Sequence, residues 1–169
     1  MEFEKVIKDR YSVRSFSSKQ VEDEKINAII NAGMIAPTGK NTQCQKIYVI
    51  KSKEGVEKLK GACSVYNAPL VFLTCGDKER ECILSITGKG LMKTDVAIVQ
   101  THMMLECKNQ GLGSCWICYF DPKKVKEIYN LPDNIVPLNL LAVGYPTEEC
   151  KPSDRHLQSR PIEDVVEYL

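Results

Sequence analysis

The sequence predicts an α+β fold, a central mixed β-sheet flanked by helices. Three observations carry this. Short runs rich in β-branched residues alternate with stretches of helical apolar spacing; one helical stretch, 92–109, far outlasts the others; and Gly, Pro and Asp-Pro separate them.

The elements follow in order. Phe3, Val6 and Ile7 fall at helical spacing before Arg10. Ile26, Ile29, Ile30 and Gly33 repeat that spacing, so a second helix is expected over 21–32, ended by Pro37. Segments 46–51 and 70–75 read as strands on Ile47, Val49, Val71 and Leu73, with a helix over about 54–63 between them. The long helix carries Val96, Val99, Met103 and Cys107 on one stripe and stops at Gly111. A strand is expected over 114–120. Asp121-Pro122, a capping residue followed by proline, then starts a helix to Asn130. The last strand covers 136–143, and Pro137 suggests that it starts on a sheet edge. From 144 to 160 the chain is polar, proline-punctuated and expected to run over the surface. No linker, repeat or low-complexity stretch interrupts it, so residues 1–169 are expected to form one domain.

Composition narrows the function classes. With 169 residues, 43% of them apolar, the chain can bury a real core. A net charge of +1 without a basic run argues against nucleic-acid or membrane-surface partners and for small molecules. The start, Met1-Glu2-Phe3-Glu4-Lys5, is not a signal region and no apolar run is long enough to span a bilayer, so the expected location is the cytoplasm. The eight cysteines are scattered, and reduced thiols packed as small apolar groups are the better reading.

Two polar clusters carry the chemistry. In an extended segment residues two apart share a side, so Arg10, Ser12 and Arg14 present two guanidinium forks and a hydroxyl together, a clamp for phosphate. After the second helix, Ala36-Pro37-Thr38-Gly39-Lys40-Asn41-Thr42-Gln43 forms a loop of backbone and side-chain amides suited to a flat heteroaromatic edge. A phosphate clamp with an amide-lined loop points to a phosphorylated planar cofactor.

Four ordered motifs now stand out: Arg10-x-Ser12-x-Arg14-x-Phe16; the Ala36–Gln43 loop; Gly111-Leu112-Gly113-Ser114-Cys115-Trp116-Ile117; and Gly144-Tyr145-Pro146-Thr147-Glu148-Glu149-Cys150-Lys151-Pro152. On these the chain resembles the nitroreductase-like FMN-dependent oxidoreductases. The resemblance implies a dimeric fold of that type and electron transfer from NAD(P)H to nitroaromatic, quinone or similar acceptors by a ping-pong cycle, with no side chain required as general acid or nucleophile. It implies that Arg10, Ser12 and Arg14 hold FMN, and that Pro37, Thr38, Asn41 and Gln43 reach the flavin of the other subunit, so that FMN lies at a homodimer interface. Asn67 and the backbone of Ile117, Cys118 and Tyr119 are carried over as further flavin contacts, and Arg155 or Arg160 as completing the phosphate site.

This chain departs from the resemblance in two places. Many members follow the loop's Gln with Pro-Trp, where Cys44-Gln45 stands here; and Gly is usual at the position of Cys118.

Two other classes fit part of the pattern. A thiol redox protein would use Cys115-x-x-Cys118, but residues three apart on a strand face opposite sides. A non-catalytic FMN-binding protein would keep every motif. Metal binding has little support, since one CxxC with the distant His102 and His156 makes no four-ligand set. With neither GxGxxG nor a P-loop frame, FMN is favoured over a dinucleotide.

Overall fold

The computed structural model describes residues 2–169. The helices are α1 (Phe3–Asp9), α2 (Asp23–Met34), α3 (Lys53–Lys58), α4 (Met92–Asn109) and α5 (Pro122–Ile128). The strands are β1 (Gln45–Ile50), β2 (Leu70–Asp77), β3 (Gly113–Ile117) and β4 (Ile135–Gly144), in the sheet order β1-β2-β4-β3. The fold is α+β with helices on a central sheet, and the four strands pair antiparallel throughout. The expected parallel component reduces, among the described residues, to the isolated bridge of Ser12 to Ser114.

Strand alternation builds the layers. Val71 and Leu73 of β2 face one core with Leu140, Ala142, Cys115, Val13 and Val125; Leu70 and Phe72 face the other with Leu141, Val143, Ile29, Val99 and Met103. Residues 70–76 are therefore buried throughout, as a central strand covered on both faces requires. Against the second face lie α2 and α4. They approach closely because residue 33 is glycine: a Cβ there would sit 2.8 Å from Met103 Cγ.

Several boundaries shift from expectation. The third helix is α for 53–58 and tightens to 3-10 over 59–61. β3 ends at Ile117 rather than Phe120, leaving Cys118 and Tyr119 exposed. Pro137 lies in β4, which is not an edge strand. It is tolerated because β3 pairs with β4 only from Leu140 onward and the β2 register shifts at Thr74/Cys75, opposite Pro137. The Asp121 cap forms as expected, its carboxylate accepting from the Lys123 and Lys124 N–H groups.

Residues 82–91 fold into a hairpin-like excursion bridged at Ile83 and Gly90, with Ile86 exposed at its tip. Among the described residues, no helix is long and apolar enough to cross a membrane.

Candidate functional site

The first cluster is set against the outer edge of β3. The Val13 N–H donates to the Ser114 carbonyl at 2.9 Å, Val13 is buried, and Phe16 bridges to Pro146. With Val13 as anchor, Arg14 is exposed and Arg10 and Ser12 are half-buried. Ser114 thus turns its backbone groups outward. By antiparallel alternation Trp116 does the same, while Cys115 and Ile117 bond to β4. The clamp segment therefore runs along this outward edge of β3 and pairs with it at Ser114.

Arg14 lies close enough to matter to the strand beneath it. Burial raises the Cys115 thiol and the Arg14 charge pulls it back down. Beside Arg10, a cleft of about 110 Å³ is lined by Tyr11, Val13, Lys108, Leu112 and Ser114 among others, and Lys108 adds a second cation to it.

Past the end of β3, the Cys118 thiol donates to Asn139 Oδ1 at 3.7 Å, and the same oxygen accepts from Trp116 Nε1 at 3.0 Å. Cys118 thus shares a partner with Trp116, which packs on the α2/α4 core, whereas Cys115 packs in the opposite core.

The second cluster is a held and strained loop. Lys40, Asn41 and Gln43 have φ of +51°, +54° and +49°, left-handed values for residues that are not glycine. The Gly39 N–H donates to Asp95 Oδ1 at 3.0 Å, the Gln43 N–H to Thr38 Oγ1 at 3.0 Å, and Gln43 Nε2 to Asn41 Oδ1 at 3.2 Å. Pro37, Asn41 and Gln43 are exposed, and Thr38 is partly so. The loop presents its amides outward.

The structure does not bring the two clusters together within one chain. Residues 10–14 follow β3, the 38–44 loop leads into β1, and these are the outer strands of the sheet. Three strand spacings, about 14 Å, lie between them. Asn67 occupies a left-handed turn (φ +58°) in a cleft with Gln20, Lys51, Lys53 and Lys60, and its neighbours Val65 and Ala68 pack in the same core as Val13 and Phe16.

Both C-terminal arginines are exposed. Next to Arg155, His156 places Nε2 3.0 Å from the Lys8 carbonyl oxygen and sets its ring edge-on to Tyr11, one residue from Arg10. Arg160 donates to the Asp164 carbonyl at 2.7 Å.

Three contributors were missed in the sequence reading: Lys108, the Trp116 backbone and Asp95. A signal for Asp95 existed, since it precedes Val99, Met103 and Cys107 at four-residue steps and so puts a carboxylate on the apolar stripe.

A cationic, hydroxyl-bearing segment bridged to the outer strand of an α+β sheet, with helices covering both faces, sets the class of the protein. Residues 7–72 and 88–145 match the nitroreductase family, to which the chain belongs. A nitroreductase family protein from Clostridium difficile 630 is 41% identical, with 99% of this chain and 98% of that one covered and a TM-score of 0.93. One from Clostridium novyi NT is 30% identical over 88% and 87% of the two chains, with a TM-score of 0.81. The FMN reductase [NAD(P)H] of Bacillus subtilis is 27% identical over 98% of this chain and 74% of its own length.

Proposed function

We propose that residues 1–169 form one FMN-binding domain of an NAD(P)H-dependent oxidoreductase, acting on nitroaromatic, quinone or similar acceptors by a ping-pong cycle. The observation that carries the reading is the clamp of Arg10, Ser12 and Arg14, held against the outer edge of β3 by the Ser12–Ser114 bridge and the hydrogen bond from Val13 to Ser114. The donor set suits FMN: Arg10 and Lys108 line one cleft, which Asp9 also lines, and Ser12 and the exposed Arg14 follow on the same segment, cations and a hydroxyl that match a phosphate dianion.

When bound, FMN supplies the two-electron chemistry through its isoalloxazine ring. The protein supplies position and field. Arg10 and Arg14 neutralise the phosphate, with Arg155 or Arg160 completing the charge; the backbone of Ile117, Cys118 and Tyr119 offers contacts past the end of β3. Asn67, in the cleft described above, is a further flavin contact.

The loop residues Pro37, Thr38, Asn41 and Gln43 serve the cofactor of a second copy. This homodimer is supported by the placement of the two clusters on opposite outer strands and by the exposed apolar residues of the C-terminal segment, Leu157, Ile162, Val165 and Tyr168. The protein is expected in the cytoplasm.

The test is the visible spectrum of the purified protein, followed by anaerobic addition of NADH and then NADPH. A yellow protein that releases FMN and bleaches with either nucleotide is the expected result. A protein that takes up no FMN, or releases FAD, overturns the proposal; FMN that no nucleotide reduces points to a non-catalytic binder.

A further inference from the structure

Asp95 is a buried carboxylate, 2% exposed, that no step above uses. It lies in the first turn of α4, where the helix dipole favours a negative charge. Its two oxygens are directed at one loop. Oδ1 accepts the Gly39 N–H at 3.0 Å, and Oδ2 accepts the Cys44 S–H at 3.8 Å.

These two donors bracket the strained stretch. Gly39 immediately precedes the left-handed Lys40 and Asn41, and Cys44 immediately follows the left-handed Gln43. Such residues each cost on the order of 1–3 kcal/mol and persist where surroundings hold them. One carboxylate inside the protein thus ties both ends of the segment.

Each donor is fitted to the task. At residue 39 a Cβ would lie 2.8 Å from Leu91 Cδ1 and 3.1 Å from Cys82 Sγ, so the backbone comes close because it is glycine. Cys44 is fully buried; burial, and then the Asp95 charge, push its thiol up to about 11, and it stays an S–H donor at neutral pH. The residue that departs from the family's usual Pro-Trp is thus the one that meets the carboxylate.

We infer that Asp95 is a positioning residue for the cofactor loop: through Gly39 and Cys44 it holds residues 38–44 in the conformation that presents Asn41 and Gln43. The inference rests on the FMN reading above. Without the carboxylate the loop populates other conformations, and the apparent dissociation constant for FMN rises by the inverse of the competent fraction.

The test uses the full chain as wild type, Asp95→Ala, Asp95→Asn and Cys44→Ala, with FMN affinity by flavin fluorescence quenching and amide hydrogen exchange by mass spectrometry. Asp95→Ala should weaken FMN by at least about tenfold, as loss of a charge-assisted hydrogen bond implies. Exchange should quicken in peptides covering 38–44 while β2 and β4 keep their protection. Asp95→Asn keeps an oxygen for the Gly39 N–H and should recover part of the affinity.

A folded Asp95→Ala protein that binds FMN as wild type does overturns the inference. So does exchange that quickens across the whole chain, because that marks a general structural role. Should Asp95→Ala fail to fold, Cys44→Ala, which removes one of the two ties, must show the same local exchange and a smaller affinity loss, or the inference fails. Wild type that binds no FMN overturns the functional reading instead, and the exchange arm then decides alone whether Asp95 holds the loop.

Discussion

The separation of the two clusters makes the shared site directly testable. Arg14 sits by β3 and Asn41 on the loop that leads into β1, the two outer strands of the sheet. Arg14→Ala removes a charge-assisted bond worth about 1.5–3 kcal/mol, or roughly 10- to 150-fold in FMN affinity. Asn41→Ala removes an exposed amide and should cost less, on the order of 0.5–1.5 kcal/mol.

When the two variants are co-expressed at equal levels, about half the dimers are mixed by two-fold symmetry. If each site takes Arg14 from one copy and Asn41 from the other, a mixed dimer holds one doubly damaged site and one intact site, so roughly a quarter of all sites recover. The assay is FMN titration at a concentration that fills wild-type sites and leaves Arg14→Ala sites largely empty, on dimers whose composition is verified by native mass spectrometry. Two binding classes are expected, one of them of wild-type affinity. If both residues serve the flavin of their own chain, every site keeps one lesion, and mixed dimers whose tighter class has the affinity of the Asn41→Ala homodimer rather than of wild type refute the reasoning.

Three further outcomes follow from the geometry. Cys115→Ser and Cys118→Ser should each leave flavin reduction by nicotinamide largely intact, because one thiol lies in the core and the other is exposed beyond the strand; loss of turnover in both, with FMN still bound, would favour thiol chemistry. Phe72→Ala, at a fully buried position of the central strand, should destabilise by about 3–5 kcal/mol in denaturant unfolding. The Glu22 carboxyl is held down at about 2, chiefly by the Tyr145 hydroxyl at 2.6 Å, with Lys19 assisting. Its folded-state value is depressed, so its contribution to stability is present above the ordinary carboxylate range and is lost as pH falls toward 2; Tyr145→Phe should raise the Glu22 midpoint in an NMR titration and flatten that part of the acid-unfolding profile.

Much of the architecture was legible because it is written in local pattern. Val96, Val99, Met103 and Cys107 marked α4 by their spacing, and the Asp121-Pro122 start was recognisable from the chemistry of one turn. The clamp was legible for the same reason, Arg10, Ser12 and Arg14 being near neighbours in sequence.

What local pattern could not show was pairing between distant segments. Pro137 reads as an edge residue until the register shows that β3 covers only the second half of β4, which makes the first half of an interior strand behave locally as an edge. Cys118–Phe120 continue an apolar run, yet β3 leaves β4 at Ile117, opposite Leu140, while β4 itself continues back to Ile135 paired with β2 alone. The stretch 78–93 offered no clear element, because its order comes from one cross-bridge and from packing of Cys82 and Leu91 on Gly39.

Asp95 is the sharpest case. A carboxylate on an apolar stripe reads as a break in the stripe, and its meaning appears only when a loop 51 and 56 residues away delivers an S–H and an N–H to it. Its burial is tolerable because both oxygens find donors beside a helix start. The same fact ties the shape of the proposed cofactor loop to a residue in the α4 core: the loop can be strained at its exposed middle because it is held at both buried ends.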